Sequence, residues 1–299
     1  MERGTQNPEH KQEIMILIAD SGSTKTEWKI IKEGQPQDSF FSTGINPFFL
    51  TNSEIYKLLK KEIGEIEGKN FSSIYFYGTG CNSTAKENVV RDALVRFVNA
   101  DSVFIGSDLV AAARSLCFND PGIACIMGTG SNSCYYDGKK IAANVSPLGY
   151  ILGDEGGGAV LGRKLVSAVL KKQVPEEIIK RFFSAYDLTP ADILENVYMK
   201  PFPNRFLGQF AKFISENIGI PELQQIVTSS FDEFIIRNIL QYPQSEILPV
   251  HFTGSIAWHF RSYLEDRLRK YNLNPGTITL TPMANLIRYH LLNMQPEKL

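Results

Sequence analysis

The spacing of apolar residues along this chain alternates between strand and helix patterns. Residues 14–19 form a short apolar run rich in β-branched side chains, which predicts a buried strand. Asp20-Ser21-Gly22-Ser23 then reads as a tight turn and residues 26–32 as a return strand. After the turn Glu33-Gly34-Gln35-Pro36, residues 37–42 read as a third strand. Residues 53–63 carry Ile55, Leu58, Leu59 and Ile63 at helical spacing. A strand over 73–77, a helix over 87–98, a strand over 102–106 and a helix opening at Asp108, with Ser107 able to cap it, follow in order.

Asn119-Asp120-Pro121-Gly122 gathers turn formers after a helix and is the expected domain boundary. The pattern then restarts. Residues 123–127 predict a buried strand, Gly128-Thr129-Gly130-Ser131 a tight turn and 132–136 its return strand. Asp137-Gly138 is a hairpin signal before a strand over 140–145. The two openings echo each other: Leu17-Ile18-Ala19 runs into Asp20-Ser21-Gly22-Ser23, and Cys125-Ile126-Met127 runs into Gly128-Thr129-Gly130-Ser131. Two related halves are expected from that repeat. Residues 156–242 read as mainly helical, with Thr189-Pro190-Ala191-Asp192 a helix start. A strand over 247–253, a helix over 255–270, a short strand over 277–280 and a helix over 283–293 close the chain.

At 299 residues the chain exceeds one ordinary core, so two domains are expected. The net charge of −1 lacks the basic excess that a nucleic acid or an anionic membrane attracts, so neither partner is expected. The four cysteines, Cys81, Cys117, Cys125 and Cys134, show neither a CxxC pair nor zinc spacing with the histidines, and read as reduced thiols. Residues 1–13 have no apolar core of a secretion signal, and no apolar run approaches the roughly 18–20 residues of a membrane span. A cytoplasmic protein is expected, with 1–12 a leader of no function.

Six segments carry candidate chemistry. The hairpin turn Asp20-Ser21-Gly22-Ser23-Thr24-Lys25 offers successive backbone N–H groups and hydroxyls to phosphate oxygens, and Asp20 at the strand end suits magnesium held through water. The pattern is not a P-loop, since GxxxxGK[ST] is absent. Gly128-Thr129-Gly130-Ser131-Asn132 suits a second phosphate clamp. Asp108, after a strand and at a helix start, suits a base that takes a proton from a hydroxyl, but taken alone reads first as an acid on a helix dipole. Asp154 and Glu155 lie among Gly149, Gly153, Gly156, Gly157 and Gly158, where carboxylates can approach sugar hydroxyls. Asn46, held extended before Pro47, suits a sugar hydroxyl. Gly254 and Ser255, between a strand and a helix, suit adenosine or phosphate.

In this order the segments resemble the BadF/BadG/BcrA/BcrD ATPase family, and within it the N-acetylglucosamine kinases of the actin/hexokinase/Hsp70 superfamily. The resemblance runs from Ile14 onward. It implies an α/β fold of two ribonuclease-H-like (actin-like ATPase) domains with a nucleotide cleft between them. The lobes would span 1–118 and 119–282, the second with a helical insertion, and the helix over 283–299 would pack back on the first. It implies ATP-dependent phosphorylation of an amino sugar, N-acetylglucosamine at its 6-hydroxyl, by a homodimer that uses ATP and Mg2+. Asp108 is then the catalytic base and Asp20 the metal residue. Gly22, Ser23, Thr24, Lys25, Gly128, Thr129, Gly130, Ser131, Gly254 and Ser255 bind the nucleotide. Asn46, Phe48, Asn132, Gly149, Asp154 and Glu155 bind the sugar. Three departures stand out: Phe48 replaces a tryptophan, Pro147-Leu148-Gly149 replaces Gly-Trp-Gly, and Pro282-Met283-Ala284-Asn285 lacks a Gly-Ala pair. Alternatives are an ATPase activator of an Fe–S dehydratase, which bridges subunits through cysteines, and a non-catalytic sugar sensor.

Overall fold

A computed structural model describes residues 14–22 and 24–293. The expected leader over 1–12, Ser23 of the first turn and the chain beyond Asn293 lie outside the described residues. The chain divides into two compact units, Met1–Asp108 with Leu286–Leu299, and Leu109–Asn285.

The first unit is built on a five-stranded sheet. Its elements are β1 (Met15–Ser21), β2 (Lys25–Lys32), β3 (Gln35–Thr43), α1 (Asn52–Glu62), β4 (Asn70–Gly78), α2 (Thr84–Phe97) and β5 (Asn99–Ser107). The strand order is β3-β2-β1-β4-β5. β1 to β3 form an antiparallel meander, while β1, β4 and β5 run parallel. The apolar run of the first strand follows from its central place, where Ile16, Leu17, Ile18 and Ala19 are all buried. α1 and α2 lay Ile55, Leu59, Val90, Leu94 and Phe97 over Leu17, Ala19, Trp28, Ile74 and Phe76. Trp28 is fully buried and its indole N–H donates to Ser42 Oγ at 2.9 Å, so the ring loses no hydrogen bond on burial. A capping box between Thr51 and Glu54 starts α1, one residue before the expected 53.

The second unit repeats that order. α3 (Asp108–Cys117) opens at the division, followed by β6 (Pro121–Met127), β7 (Ser131–Asp137) and β8 (Ile141–Val145). α4 (Gly149–Leu152) precedes a helical stretch of α5 (Gly158–Leu170), α6 (Glu176–Tyr186), α7 (Pro190–Tyr198), α8 (Pro203–Gly208), α9 (Ala211–Glu216) and α10 (Pro221–Arg237). β9 (Pro249–Thr253), α11 (Ser255–His259), α12 (Arg261–Lys270), β10 (Asn274–Thr279) and α13 (Met283–Leu292) end the chain. The sheet runs β8-β7-β6-β9-β10, again an antiparallel meander beside a parallel pair of joins. The repeated turn read in the sequence thus sits at the same hairpin, β1–β2 and β6–β7, of two sheets with one topology. α3 packs Leu109, Ala112, Ala113, Leu116 and Cys117 with Ala124, Cys134 and Tyr136 of β6 and β7. A larger core joins Ile123, Cys125 and Met127 to the helices from α5 to α12. The expected boundary at 118/119 falls in the turn after α3; the contacts divide the chain one helix earlier. The last part of α13 belongs to the first unit, where the His290 ring lies 3.7 Å from that of Tyr75 and its Nε2 is 2.8 Å from the Tyr77 hydroxyl oxygen.

Several boundaries differ from expectation for local reasons. The helix expected over 255–270 breaks between α11 and α12 at Phe260, whose ring is buried against Phe231. β10 starts at Asn274 rather than 277, although it contains Pro275 and Gly276. β3 starts at Gln35 and contains Pro36. Both are edge strands, where a proline removes no ladder bond from a neighbour. The capping box expected at Thr189 and Asp192 is present and begins α7 with Pro190 in its first turn.

The close approach of α5 to α8 rests on one glycine. A Cβ on Gly162 would lie 1.9 Å from the Leu207 carbonyl oxygen. Gly162→Ala should lower stability by about 1–3 kcal/mol in denaturant unfolding. Gly219→Ala, where a Cβ meets nothing within 4 Å, serves as the control. Equal midpoints for wild type and Gly162→Ala would contradict this packing.

Candidate active site

In the first unit the parallel register brings the candidate residues to one end of the sheet. Asp20 of β1 pairs with Tyr77 of β4, and Tyr77 with Gly106 of β5. One residue on, Ser21 pairs with Gly78 and Gly78 with Ser107, the residue before Asp108. Asp20 and Asp108 therefore emerge at the same edge because three parallel strands end together. In open α/β sheets this edge is where ligands bind. The first turn closes through Gly22 N–H donating to the Lys25 carbonyl at 3.0 Å. Its base is fixed by Ser21, whose Oγ lies 2.7 Å from Thr26 Oγ1 and accepts from the Ile45 N–H at 2.9 Å. That last bond ties the phosphate-type turn to the loop bearing Asn46. Thr24 is exposed, and its carbonyl accepts from Gly44 N–H at 3.0 Å. Lys25 is exposed as well, with its ammonium 4.4 Å from the Phe41 ring centroid.

Asn46 Oδ1 accepts from Phe48 N–H at 2.9 Å, a side-chain turn that holds the loop. Lys86 of α2 donates to the Pro47 carbonyl at 2.9 Å and lies 4.5 Å from the Phe48 ring centroid, gripping the same loop. Phe48 is 55% exposed, so its ring is available to a ligand.

Thr79 and Gly80, which are not among the sequence candidates, connect these residues. Thr79 Oγ1 donates to Asp108 Oδ2 at 2.8 Å, and Thr79 N–H donates to the Ser21 carbonyl at 3.0 Å. Gly80 has φ +88°, and a Cβ there would lie 2.5 Å from Asn46 Oδ1, so only glycine suits the position. The available signal was Gly78-Thr79-Gly80 itself, the same triplet as Gly128-Thr129-Gly130.

Electrostatics at this edge are adverse in the absence of a cation. Burial first, then the Asp108 charge, then Glu27, push the Asp20 carboxyl up to about 7, with Lys25 opposing. Asp20 and Asp108 fit a divalent cation on that ground, because an added positive charge relieves both burial and repulsion. Among the described residues no group of three or more His, Cys, Asp or Glu side chains forms a cage, so such an ion would take its remaining ligands from water and phosphate. That is the ordinary habit of magnesium.

In the second unit the turn after β6 closes through Gly128 N–H donating to the Gly130 carbonyl at 3.0 Å. The Gly128 and Thr129 carbonyls accept from Gly158 and Ala159 N–H groups, at 2.8 and 2.9 Å, and so cap α5. The Thr129 and Gly130 N–H groups have no backbone acceptor among the described residues, which suits them to phosphate oxygens. Gly254 has φ +123° and a Cβ there would lie 2.4 Å from the Met127 carbonyl oxygen, so β9 ends directly against this turn. Ser255 is exposed beside it.

Asp154 reaches the same turn: a Cβ on Gly130 would lie 2.6 Å from its Oδ2. It holds a left-handed φ of +53°, which costs free energy for a non-glycine residue. Burial raises its carboxyl to about 6, a Ser131 backbone bond opposes, and the Glu155 charge adds to the rise. Glu155 turns elsewhere. It is buried, accepts from Arg237 Nη1 at 3.1 Å and Asn238 Nδ2 at 3.3 Å, and its carbonyl accepts from Ser131 Oγ at 2.8 Å. Glu155 thus anchors the loop to α10 and to the phosphate-type turn. Asn132 Oδ1 accepts from Asn144 Nδ2 at 3.0 Å. Gly149, at φ +74° in α4, lies beside the exposed Leu148, Ile151 and Leu152.

Two units of one sheet topology, each with a small-residue hairpin at its strand ends and a carboxylate beside it, define the class of actin-like sugar kinases. No family model matches the chain. A structure of a proposed N-acetylglucosamine kinase from Porphyromonas gingivalis is 47% identical, with a TM-score of 0.88, and covers 93% of this chain and 99% of that one. An N-acetylmuramic acid/N-acetylglucosamine kinase of Clostridium acetobutylicum is 28% identical over 293 residues, 90% of this chain and 94% of that protein. A proposed N-acetylglucosamine kinase from Chromobacterium violaceum shares the fold at 15% identity and a TM-score of 0.70, over 92% of this chain and 98% of that one. The chain belongs to the N-acetylglucosamine kinase family.

The Asp20 shift makes a stability prediction. Below about pH 4 the folded and unfolded chains both hold this proton; between about 4 and 7 only the folded chain does. Stability from this group therefore falls as pH rises through that window, and its penalty is complete above pH 7. In magnesium-free buffer Asp20→Asn should raise Tm at pH 8 by at least about 2 °C and leave it unchanged at pH 4. An unchanged Tm at pH 8 would show that Asp20 carries no such burden.

Proposed function

We propose that this chain transfers the γ-phosphoryl group of ATP to the 6-hydroxyl of N-acetylglucosamine. The observation that carries the reading is the Thr79–Gly80 turn, which bonds the Asp108 carboxylate on one side and abuts the Asn46 amide on the other. A base and a sugar-binding group tied to one turn are what proton removal from a bound sugar requires. The family relationship supports the substrate class.

Asn46 and Asp154 hold sugar hydroxyls, Phe48 and the loop at Gly149 flank the ring, and Asn132 adds an amide. The N–H groups and hydroxyls of the turns at 22–25 and 128–131 hold the nucleotide phosphates, with Gly254 and Ser255 at the adenosine. Asp108 takes the proton of the attacking hydroxyl. The bond from the sugar oxygen to the γ-phosphorus forms as the bond to the β–γ bridging oxygen breaks, and ADP leaves. In a loose transition state of this kind positioning and charge neutralisation supply most of the rate. Asp20 would hold a magnesium ion, which would supply neutralisation of phosphate charge when bound. Lys25 contributes positive charge near Asp20, and Glu155 acts by holding the Asp154 loop.

The reading extends, on resemblance, to a cytoplasmic homodimer. Among the described residues no helix is long and apolar enough to cross a membrane. The electron-transfer activator reading needs cysteines that reach a subunit surface, whereas Cys81, Cys117, Cys125 and Cys134 are all buried. Burial pushes the Cys81, Cys117 and Cys134 thiols up to about 12, far from ready thiolates.

ADP release measured across about a dozen amino sugars and hexoses should give the highest kcat/KM with N-acetylglucosamine. Asp108→Asn should lower kcat by roughly 10²-fold or more while ATP still binds, the range a general base supplies. No sugar-dependent ADP release in the panel would favour a non-catalytic sensor. Near-normal turnover of Asp108→Asn would remove that carboxylate from the reaction.

A further inference from the structure

We propose that Thr79 is a positioning residue for the catalytic base, an inference that rests on the kinase reading above. Its hydroxyl donates to Asp108 Oδ2 at 2.8 Å. A carboxylate at a helix start can rotate about its terminal bond, which is broad and two-fold, so a general base there needs an external group to fix its plane. A hydroxyl bonded to Oδ2 restricts that rotation and holds the plane of the carboxylate.

The hydroxyl can do this because it is itself held. Threonine is β-branched and stiff at its first side-chain torsion. Its N–H donates to the Ser21 carbonyl at 3.0 Å, and the Cys81 N–H donates to the Gly78 carbonyl at 3.1 Å to close the turn. Gly80 at φ +88° then brings the chain against Asn46, with no room for a Cβ. The threonine is thus pinned to the strand that ends in the phosphate-type turn and to the loop that meets the sugar. The Thr79 bond makes the base's orientation part of the same frame as the sugar contact and the phosphate turn. A near-attack arrangement tolerates displacement poorly, since about 1 Å of misplacement can cost on the order of 10²-fold in rate.

Burial also distinguishes this bond from an incidental surface contact. Thr79 and Asp108 are both partly buried, and Tyr77 and Cys81 on either side of the turn are buried. The turn therefore has little freedom to offer a different hydroxyl orientation.

The test compares Thr79→Val, which keeps the shape and removes the hydroxyl, with Thr79→Ser, which keeps the hydroxyl. Steady-state kinetics with N-acetylglucosamine and ATP and a Tm for each variant would be measured. Thr79→Val should lose roughly 10- to 100-fold in kcat with the KM for ATP within about twofold and Tm close to wild type. Thr79→Ser should recover most of that loss. Equal kcat for Val and wild type overturns the inference and leaves the kinase reading standing. Equal losses in Ser and Val, with a lowered Tm, assign Thr79 to packing and overturn it too. A wild-type protein that phosphorylates no amino sugar overturns the kinase reading and this inference together.

Discussion

Three parallel strands that stop at the same level impose the condition on which the first unit's chemistry rests. β1, β4 and β5 are in register at Asp20, Tyr77 and Gly106, so the chain has to leave the sheet with Asp20 and Asp108 at one edge. Both acids emerge where water is partly excluded, and Asp20 is driven up to about 7 by burial and by its neighbour's charge. A fold selected for stability alone would avoid that pairing. In the proposed kinase a cation and a polyphosphate at this edge would restore the balance.

The second unit applies the same geometry to a different task. β6 and β9 pair in parallel up to Ile126 and Thr253, so Gly254 follows at the level of Met127 and Gly128. Glycine is required there because the backbone of one strand end touches the other. The same turn caps α5 with its carbonyls, receives Asp154 against Gly130 and bonds Ser131 to the Glu155 backbone. Here Asp154, the carboxylate proposed to meet the sugar, and Glu155, which holds the loop, are neighbours in sequence. Asp154 is strained and partly buried, whereas Glu155 is paired with Arg237 and Asn238.

Much of the fold was legible because local signals agreed with tertiary demands. The apolar run ending in Ala19 marks a central strand, and Thr189 with Asp192 marks a helix start that forms as written. The repeated strand–turn–strand openings anticipated two sheets of one order. Where the reading missed, tertiary context decided. Pro36 and Pro275 look like breakers yet lie in edge strands, and Phe260 interrupts a helical pattern to bury its ring. At the site, Asp20, Asn46 and Asp108 were visible as residue types beside turns. Thr79 showed only as part of the Gly78-Thr79-Gly80 triplet, because its part comes from a bond to a residue 29 positions away. Glu155 looked equivalent to Asp154 in sequence; only the pairing with α10 separates their roles.

The most direct measurement of the account is phosphorus-31 NMR of N-acetylglucosamine, ATP and magnesium incubated with the protein. A new phosphomonoester resonance coupled to the C6 protons of the sugar is expected, growing in step with ADP. ATP consumed to inorganic phosphate with no sugar ester, or no change in the nucleotide at all, would contradict it.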